Sequence, residues 1–570
     1  MSRNSEIADL FRKIADALEI KGENPFRVNA YRQAARVLGE LSEDVEELVL
    51  SGRLKEVKGI GEGLAEKIQE YLKTGRMSKY EEAMSGLSPE LLVLLQIPGL
   101  GPKTVALLHE KLQVNSLEDL RRELDGDRLI QLPGLGPKKV EQIKKGLSLF
   151  QHGQERIPLG QALPLVRHII QELAGYASRI SPAGSLRRWK ETVGDIDILA
   201  SSSSPDALIK KFVTLPEVQE VLAQGETRAS VRMATDGFQV DLRVVPEVSY
   251  GAALQYFTGS KAHNVKLRTM AAASGFKINE YGVFKGERRL AGKTEQEVYQ
   301  VLHLPLIPPE LREDRGEIEA ALSGKLPHLV ELSDIQGDFH VHSSYSDGTD
   351  SIRTLALAAR ERGYRWLAIA DHSVSVKYAR GLSQDSLKQK LDEMDRIQEE
   401  FPDLRLLKAA EVDILSDGKL DYPDSLLARL DVVIAAIHQG FTRNVTERLL
   451  KAIEHPLVDI IAHPTGRLLT GRSGYQVDLE KVMEHAAEKS VALEINAYYD
   501  RLDLDDTNAR RDCSLGVPLA IGTDSHSAST LHFMELGVAV ARRAWLTRKD
   551  LLNTRPWSKK QPVQKSTRTG

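Results

Sequence analysis

This chain has almost no cysteine, no long apolar run and no excess of positive charge. Its one cysteine, Cys513, has no intrachain partner, which excludes a disulfide framework. No apolar stretch approaches the roughly 18 residues of a spanning helix, and the polar opening MSRNSEIADLFRK lacks the apolar segment of a signal peptide. The chain therefore reads as soluble and cytoplasmic, with no membrane partner. Lys and Arg total 77 against 81 Asp and Glu, a net charge of -4. No global positive field attracts a polyanion, so any nucleic-acid contact has to come from local patches.

What is present is length and patterning. At 570 residues, 41% of them hydrophobic, the chain exceeds what one core usually supports, and several domains are expected. Residues 1 to about 150 read as helical: Ile7, Leu10, Phe11, Ile14 and Leu18 recur at helical spacing, and alternating β-branched runs are scarce. From about 155 to 320, strand-like runs such as Asp195–Leu199 and Phe238–Arg243 alternate with helical segments, the pattern of a mixed α/β region. Composition shifts again near 320–336. Beyond it, nine of the fifteen histidines fall on a series of apolar strands that each end in a polar residue. The tail WSKKQPVQKSTRTG is polar and expected to be disordered.

The helical region carries an internal repeat. Val57-Lys-Gly-Ile-Gly61, Ile97-Pro-Gly-Leu-Gly101 and Leu132-Pro-Gly-Leu-Gly136 each precede a helix-forming segment. Glycines in such a turn let the backbone approach a ligand closely, and the N–H groups that open the next helix can take a phosphate oxygen. A single copy reads equally well as an ordinary interhelical turn. Three copies point to helix-hairpin-helix binding of the DNA backbone without base readout, through Gly59, Gly61, Gly99, Gly101, Gly134 and Gly136.

In Gly194-Asp-Ile-Asp-Ile-Leu199, Asp195 and Asp197 are two apart, so on a strand both carboxylates share one face while Ile196 and Ile198 face the core. Asp241, in Gln239-Val-Asp-Leu-Arg243, has the same alternation, and an adjacent strand would bring it to the first pair. Three clustered anions repel unless cations hold them. Two magnesium or manganese ions there suit phosphoryl transfer to a primer hydroxyl. Upstream, Gly184-Ser185 forms a tight turn, and Arg187, Arg188 and Lys190 add positive charge for a triphosphate.

The last region reads as strand, loop and helix units whose strands end in potential ligands: His340 and His342, His372, Glu411, His438, His463, and Asp524 with His526. In a barrel of parallel strands those ends meet at the carboxyl face. Imidazole and carboxylate at convergent positions suit zinc, manganese or iron. One histidine alone is more often structural; five histidine-bearing strand ends reverse that expectation. Arg380 and Arg467 read either as substrate contacts or as exposed salt-bridge partners.

Ala183-Gly-Ser-Leu-Arg-Arg-Trp-Lys190 with Gly194-Asp-Ile-Asp197 resembles the family X DNA polymerases, the group that includes polymerase beta, and Tyr256-Phe-Thr-Gly-Ser260 is similar to that family's sugar-sensing motif. The resemblance implies Asp195, Asp197 and Asp241 as catalytic metal ligands. It also implies nucleotide contacts from Arg156, Ser185, Arg188, Tyr256, Phe257, Gly259 and Asn264, with Arg268 on the template strand. Asn29-Ala-Tyr31-Arg32 and Gly59–Lys67 resemble the family's small lyase domain, with Lys67 at its Schiff-base position. Phe26 and Gly63 depart from polymerase beta, which has histidine and lysine there, and Lys67 reads equally as a solvated helix-face lysine. The carboxyl-terminal half resembles a polymerase and histidinol phosphatase (PHP) domain, a distorted (β/α)7 barrel with a trinuclear metal centre. That resemblance implies His340, His342, Glu411 and Asp524 on one ion, Glu411 bridging to a second held by His438 and His463, and Asp347, His372 and His526 on a third.

Together the resemblances cover nearly the whole chain, in the order of the bacterial and archaeal PolX type. The expected fold is multidomain α and α/β. A lyase-like helical domain spans 1–85, fingers 86–152, a mixed-sheet nucleotidyltransferase palm 153–247, a thumb 248–318, a linker 319–335, the PHP barrel 336–556 and a tail 557–570. The implied protein is a monomeric DNA-repair enzyme acting on gapped or primed duplex DNA with deoxynucleoside triphosphates. It would combine gap-filling synthesis with 3'-5' exonuclease and abasic-site endonuclease activity, with Mg2+ or Mn2+ at the palm, up to three Mn2+, Zn2+ or Fe2+ in the barrel and monovalent cations at the hairpins. The alternatives are a barrel that serves as scaffold or as a small-molecule phosphatase.

Overall fold

The computed structural model describes residues 3–40, 45–57, 59–97, 100–126, 128–154, 156–234 and 237–557. The chain forms two compact units: residues 1–155 with 265–273, and residues 156–264 with 274–570. Among the described residues, no helix is long and apolar enough to cross a membrane.

The first unit is helical. Helices Arg3–Ile20 and Pro25–Glu40 pack along each other and bury Ile7, Phe11, Ile14 and Leu18 against Val28, Tyr31 and Leu38. These are the positions the helical spacing marks, and Phe11 and Tyr31 meet edge to face at 5.5 Å. A second core gathers Leu91, Leu94, Val105, Leu108, Leu120, Leu129 and Ile143. Each glycine motif leads into a helix: Glu62–Thr74 after Gly61, Pro102–Leu112 after Gly101 and Pro137–Gln154 after Gly136. Proline suits the first turn of the last two, where its missing N–H has no intrahelical acceptor to lose.

The second unit begins with short strands β1 (Ile157–Pro158), β2 (Arg179–Pro182) and β3 (Thr192–Val193), followed by β4 (Ile196–Ser201), β5 (Val218–Gln224), β6 (Arg228–Met233) and β7 (Gln239–Val244). The five-stranded sheet runs β2-β4-β7-β6-β5 and is mixed, because β4 and β7 are parallel while the other pairs are antiparallel. Along β7, Val240, Leu242 and Val244 are buried while Gln239, Asp241 and Arg243 are part-exposed, the alternation of a half-buried strand. Strands β8 (Lys277–Asn279), β9 (Gly282–Lys285) and β10 (Arg288–Ala291) form a small antiparallel sheet.

Seven parallel strands follow: β11 (Gly337–Val341), β12 (Trp366–Ile369), β13 (Arg405–Asp413), β14 (Val432–Ala436), β15 (Ile460–Ile461), β16 (Ala492–Asn496) and β17 (Leu519–Gly522), paired in chain order. A bridge between Val341 and Ser525, and the His342 N–H donated to the Ser525 carbonyl at 2.8 Å, bring the first strand to the end of the last. β11, β12, β14, β16 and β17 are buried along their whole length, as parallel strands covered by helices require. The inner core holds many small side chains, among them Ala368, Ala370, Ala409, Ala436, Ala462, Ala492 and Ala520, beside Phe339 and Trp366. Trp557 packs against this floor, 6.0 Å from Phe339 and 6.2 Å from Trp366 between ring centres. The rest of the tail expected to be disordered lies outside the described residues.

The mixed sheet and the barrel share an interface. Arg167 forks onto Glu535 at 2.9 and 2.7 Å, and Arg467 donates to Glu191 at 2.7 Å. At Gly160 a β-carbon would lie 2.5 Å from the Tyr499 Cβ, so only glycine admits that approach.

Candidate functional site

The first candidate site is built on two parallel strands in register. Asp197 on β4 lies opposite Asp241 on β7, and Asp195 precedes β4 on the same side, so that one oxygen from each falls within 4.8 Å of the others. Burial together with the charges of Asp195 and Asp241 pushes the Asp197 carboxyl up to about 7, and burial and Asp241 raise Asp195. The three carboxylates by themselves thus resist full ionisation, and divalent ions would relieve it. Ser230 on β6 donates to one Asp241 oxygen and Gln239 to the other at 2.9 Å, fixing that carboxylate.

Gly184 closes one side of this cleft. Its φ is +59°, and a β-carbon would sit 2.1 Å from Asp197 Oδ2. Both the turn and the close approach call for glycine. The turn opens the short helix Gly184–Arg187, which holds Ser185. Arg188 follows, ion-paired with Glu313 at 3.0 Å and donating to the Thr258 carbonyl. Arg187 points elsewhere, forked onto Glu295 at 2.9 and 2.6 Å. Lys190 lines a separate cavity between sheet and barrel, so of these three cations Arg188 is the one beside the cleft.

Phe257 lines the same cleft as Asp197 and Asp241, under the Arg243 guanidinium at 4.4 Å. Tyr256 packs edge to face on it at 5.2 Å. Asn264 donates to the Tyr256 carbonyl at 2.7 Å and accepts from Gln255 at 2.8 Å, while Gly259, at φ +67°, passes 3.2 Å from Arg188 when a β-carbon is added. Arg156 is braced by Thr192 through its Nε at 2.8 Å. Arg268 lies in the segment 265–273 that belongs to the helical unit.

The second candidate site sits at the carboxyl ends of the barrel strands. Glu411, at the inner end of β13, is its centre: His372, His463, His438, His340 and His342 have ring nitrogens 2.8, 2.9, 3.2, 3.4 and 3.7 Å from its oxygens. Asp524 reaches His342 at 3.0 Å, and Asp347 reaches His526 at 3.2 Å and His372 at 3.4 Å. Three groups have ligand atoms within 4.8 Å of one another: His340, His342 and Asp524; His372, Glu411 and His438; and His342, Asp347, His372 and His526.

This donor set fits divalent ions. His340 Nε2, both nitrogens of His342, His372 Nδ1, Glu411 Oε2, His438 Nδ1 and His463 Nδ1 are buried without a hydrogen-bond partner among the described residues. Such atoms are costly in a dry interior unless an ion takes them. Burial alone would raise Glu411 and Asp524, yet the surrounding imidazoles hold both well below the usual carboxylate range. His342 is driven down to about 4 by burial and by His372 and His526.

Residues that sequence reasoning passed over hold these candidate ligands in place. Glu494 on β16 accepts from His340 Nδ1 at 2.7 Å and from the His463 N–H at 2.8 Å. Asp413 takes the His438 N–H at 2.9 Å, and Asn496 donates to Asp524 at 3.1 Å. Gly522 leaves the room: a β-carbon there would lie 2.2 Å from Glu494 and 2.5 Å from His340. The Arg501 guanidinium, 3.9 Å from Asp524, brings a largely buried cation to the edge of the cluster. A signal for Glu494 is visible in Ala492-Leu-Glu-Ile-Asn496, another apolar strand with inward polar residues. Arg467, read as a substrate contact or an exposed ion pair, is largely buried and donates to Glu191 and the Leu502 carbonyl.

In the helical unit, Gly59 has φ +105° and Gly134 φ +80°, Gly61 and Gly101 are helix N-caps, and Gly136 directly precedes its helix. Gly99 lies outside the described residues. Lys67 is part-exposed on helix Glu62–Thr74 and donates to the Gly63 carbonyl at 2.7 Å.

Comparison with known proteins adds to this geometry. Residues 2–77 match the family described as helix-hairpin-helix domain, 91–148 the SAM-like helix-hairpin-helix tandem, 253–313 the DNA polymerase beta thumb and 338–498 the PHP domain. The DNA polymerase/3'-5' exonuclease PolX of Bacillus subtilis is 40% identical over 559 residues, 96% of this chain and 97% of that protein. DNA polymerase lambda of Arabidopsis thaliana is 26% identical over 54% of this chain and 62% of its own length. A probable phosphatase of Thermoanaerobacter sp. is 29% identical over 38% of this chain and 89% of its own length.

Proposed function

The chain belongs to the PolX family of DNA polymerase/3'-5' exonucleases, and from that premise we propose that it fills short gaps during DNA repair at the mixed sheet and trims 3' ends at the barrel. It is a DNA polymerase and exonuclease that acts on DNA and nucleotides and uses divalent metal ions. The observation that carries the two-site reading is the presence in one chain of a carboxylate triad closed by Gly184 and a cluster of imidazoles around Glu411 with buried ring nitrogens that make no hydrogen bond among the described residues.

In this reading Asp195, Asp197 and Asp241 hold Mg2+ or Mn2+ in the palm. His340, His342, Asp347, His372, Glu411, His438, His463, Asp524 and His526 hold up to three Mn2+, Zn2+ or Fe2+ in the barrel. When bound, such ions act as Lewis acids on the attacking oxygen and screen the phosphate charge. Ser185, Arg188 and Arg156 bind triphosphate oxygens. Tyr256, Phe257 and Gly259 form a flat wall that excludes a 2'-hydroxyl, Asn264 orients the nucleotide, and Arg268 contacts the template. Arg501 steadies the phosphate at the barrel. The hairpin glycines grip the DNA backbone, with monovalent cations at their carbonyls. The division of labour follows the domain limits given above, in a monomer placed in the cytoplasm.

Abasic-site cleavage by the barrel, and a lyase step through Lys67, extend the same reading. A lysine there attacks the deoxyribose aldehyde once it is unprotonated. Borohydride trapping of a 5'-deoxyribose phosphate on the wild type and on Lys67→Ala tests that step, and equal trapping in both removes Lys67 from it.

Primer extension across short gaps tests the palm. Synthesis retained in Asp195→Ala with Asp197→Ala contradicts the assignment. The likeness to a phosphatase favours one other reading of the barrel, hydrolysis of small phosphomonoesters. Comparing a nucleoside monophosphate with single-stranded DNA bearing a 3'-hydroxyl decides between them, and turnover of the monoester alone would end the exonuclease reading.

A further inference from the structure

Arg543 ends the barrel helix Met534–Arg543 and is 3% exposed. It does not serve the barrel's own cluster. Its Nη1 donates to the Arg188 carbonyl at 2.7 Å and to Glu313 at 3.1 Å, and its Nη2 donates to Asp506 at 2.8 Å. The same Glu313 oxygen accepts from Arg188 Nε at 3.0 Å. Asp506 is further neutralised by Arg315 at 3.0 Å. A buried chain of alternating charge thus runs from the barrel to the cation that borders the Asp197 cleft.

The geometry has a direct consequence for Arg188. With its Nε on Glu313 and its Nη1 on the Thr258 carbonyl, the guanidinium is fixed in orientation, and its Nη2 makes no hydrogen bond among the described residues. Glu313 has two claims on it: it aims Arg188, and as a carboxylate it competes with any phosphate for the same cation. Arg543 tempers the competition by taking part of the Glu313 charge, and its bond to the Arg188 carbonyl holds the turn that follows Ser185. Removing Arg543 would leave Arg188 as the hydrogen-bonding cation on Glu313, with Lys190 acting on it only through its charge.

We propose that Arg543 of the barrel is a positioning residue of the polymerase site, holding Arg188 and Glu313 so that Arg188 presents a free donor edge to the triphosphate of the incoming nucleotide. The proposal rests on the reading of Arg188 as a triphosphate ligand. It makes the barrel part of the synthesis machinery, independent of the nuclease chemistry at its mouth.

Steady-state gap filling by the full-length enzyme tests it, with kcat and KM for the nucleotide measured for wild type, Arg188→Ala, Arg543→Met, Arg543→Lys and Arg543→Met with Glu313→Gln. Loss of hydrogen bonds to charged partners is expected to raise the nucleotide KM of Arg543→Met by about 10- to 100-fold with kcat nearly unchanged. Arg543→Lys, which keeps the charge but not the fork, falls between. Adding Glu313→Gln removes the competing carboxylate and lowers KM again, a recovery that a purely structural bridge would not produce. Trimming of 3' ends at the wild-type rate shows that each variant is folded, and Arg543→Lys supplies the answer if Arg543→Met is not. An unchanged KM in Arg188→Ala overturns the reading of Arg188 and the proposal with it. A raised KM in Arg188→Ala with an unchanged one in the folded Arg543 variants overturns the proposal alone.

Discussion

A β-carbon on Gly184 would sit 2.1 Å from Asp197 Oδ2, at a residue whose φ is already +59°. Gly184→Ala is therefore predicted to cost about 1–3 kcal/mol of stability and, by displacing the Asp197 carboxylate proposed to hold metal, to lower gap filling by at least about 100-fold. Trimming of 3' ends stays at the wild-type level. Parallel extension and degradation assays with a thermal melt check all three. At the barrel, Glu494 orients His340 and His463 without belonging to the expected ligand set. Glu494→Gln is expected to weaken metal binding by about 10- to 100-fold, read by metal titration followed by elemental analysis. Ordinary affinity in that variant would remove Glu494 from the metal site. The paired acids and histidines were visible in the sequence because strand alternation puts residues two apart on one face. Glu494 and Asp413 were not singled out, since a carboxylate that supports a ligand and one that is a ligand have the same letter.

Among the elements, helix Asp506–Leu515 carries a buried carboxyl, Asp512, with no hydrogen-bond partner at either oxygen among the described residues. Burial and the neighbouring Asp505 push it up from an ordinary 3.8 to about 8. Between those values the unfolded chain is ionised there while the folded chain keeps its proton, so the unfolded state binds fewer protons and stability falls as pH rises. The contribution is complete below about pH 4 and gone above about pH 8. Asp512→Asn, which cannot ionise, should flatten this dependence and stabilise the protein near pH 8 by on the order of 2–4 kcal/mol. Melting temperatures at pH 6 and pH 8.5 test it, and equal slopes for wild type and variant contradict it. The element pattern itself was largely readable: Ile7, Phe11, Ile14 and Leu18 are core as their spacing indicates, and β7 alternates as written. The connector after the thumb was less so. Val330 is fully buried and donates its N–H to the Leu546 carbonyl at 3.0 Å, a pairing set by a segment some two hundred residues away in the chain.

At the scale of the whole molecule, the sheet and the barrel are bound by contacts that no local pattern contains. Arg167 meets Glu535, Arg467 meets Glu191, and Arg543 meets Arg188 across a separation of 355 residues. Surface complementarity between distant segments has no period and no motif, so the interface could not be read in advance, whereas each site could be read inside its own domain. Metal binding should register on the entire second unit. Manganese at about 100 times its dissociation constant is predicted to add about 3 kcal/mol of stability over the chelated protein, seen as a higher melting temperature that is lost in His340→Ala. An equal melting temperature with manganese and with chelator would contradict it.

In the proposed function, one chain makes phosphodiester bonds at Asp195, Asp197 and Asp241 and breaks them at the His340–His526 cluster. The most direct measurement is a 5'-labelled primer in a gapped duplex, incubated with manganese, with and without nucleotides, using wild type, Asp195→Ala and His340→Ala. The prediction is extension lost only in Asp195→Ala and shortening lost only in His340→Ala. Shortening that survives His340→Ala, or extension that survives Asp195→Ala, would contradict it.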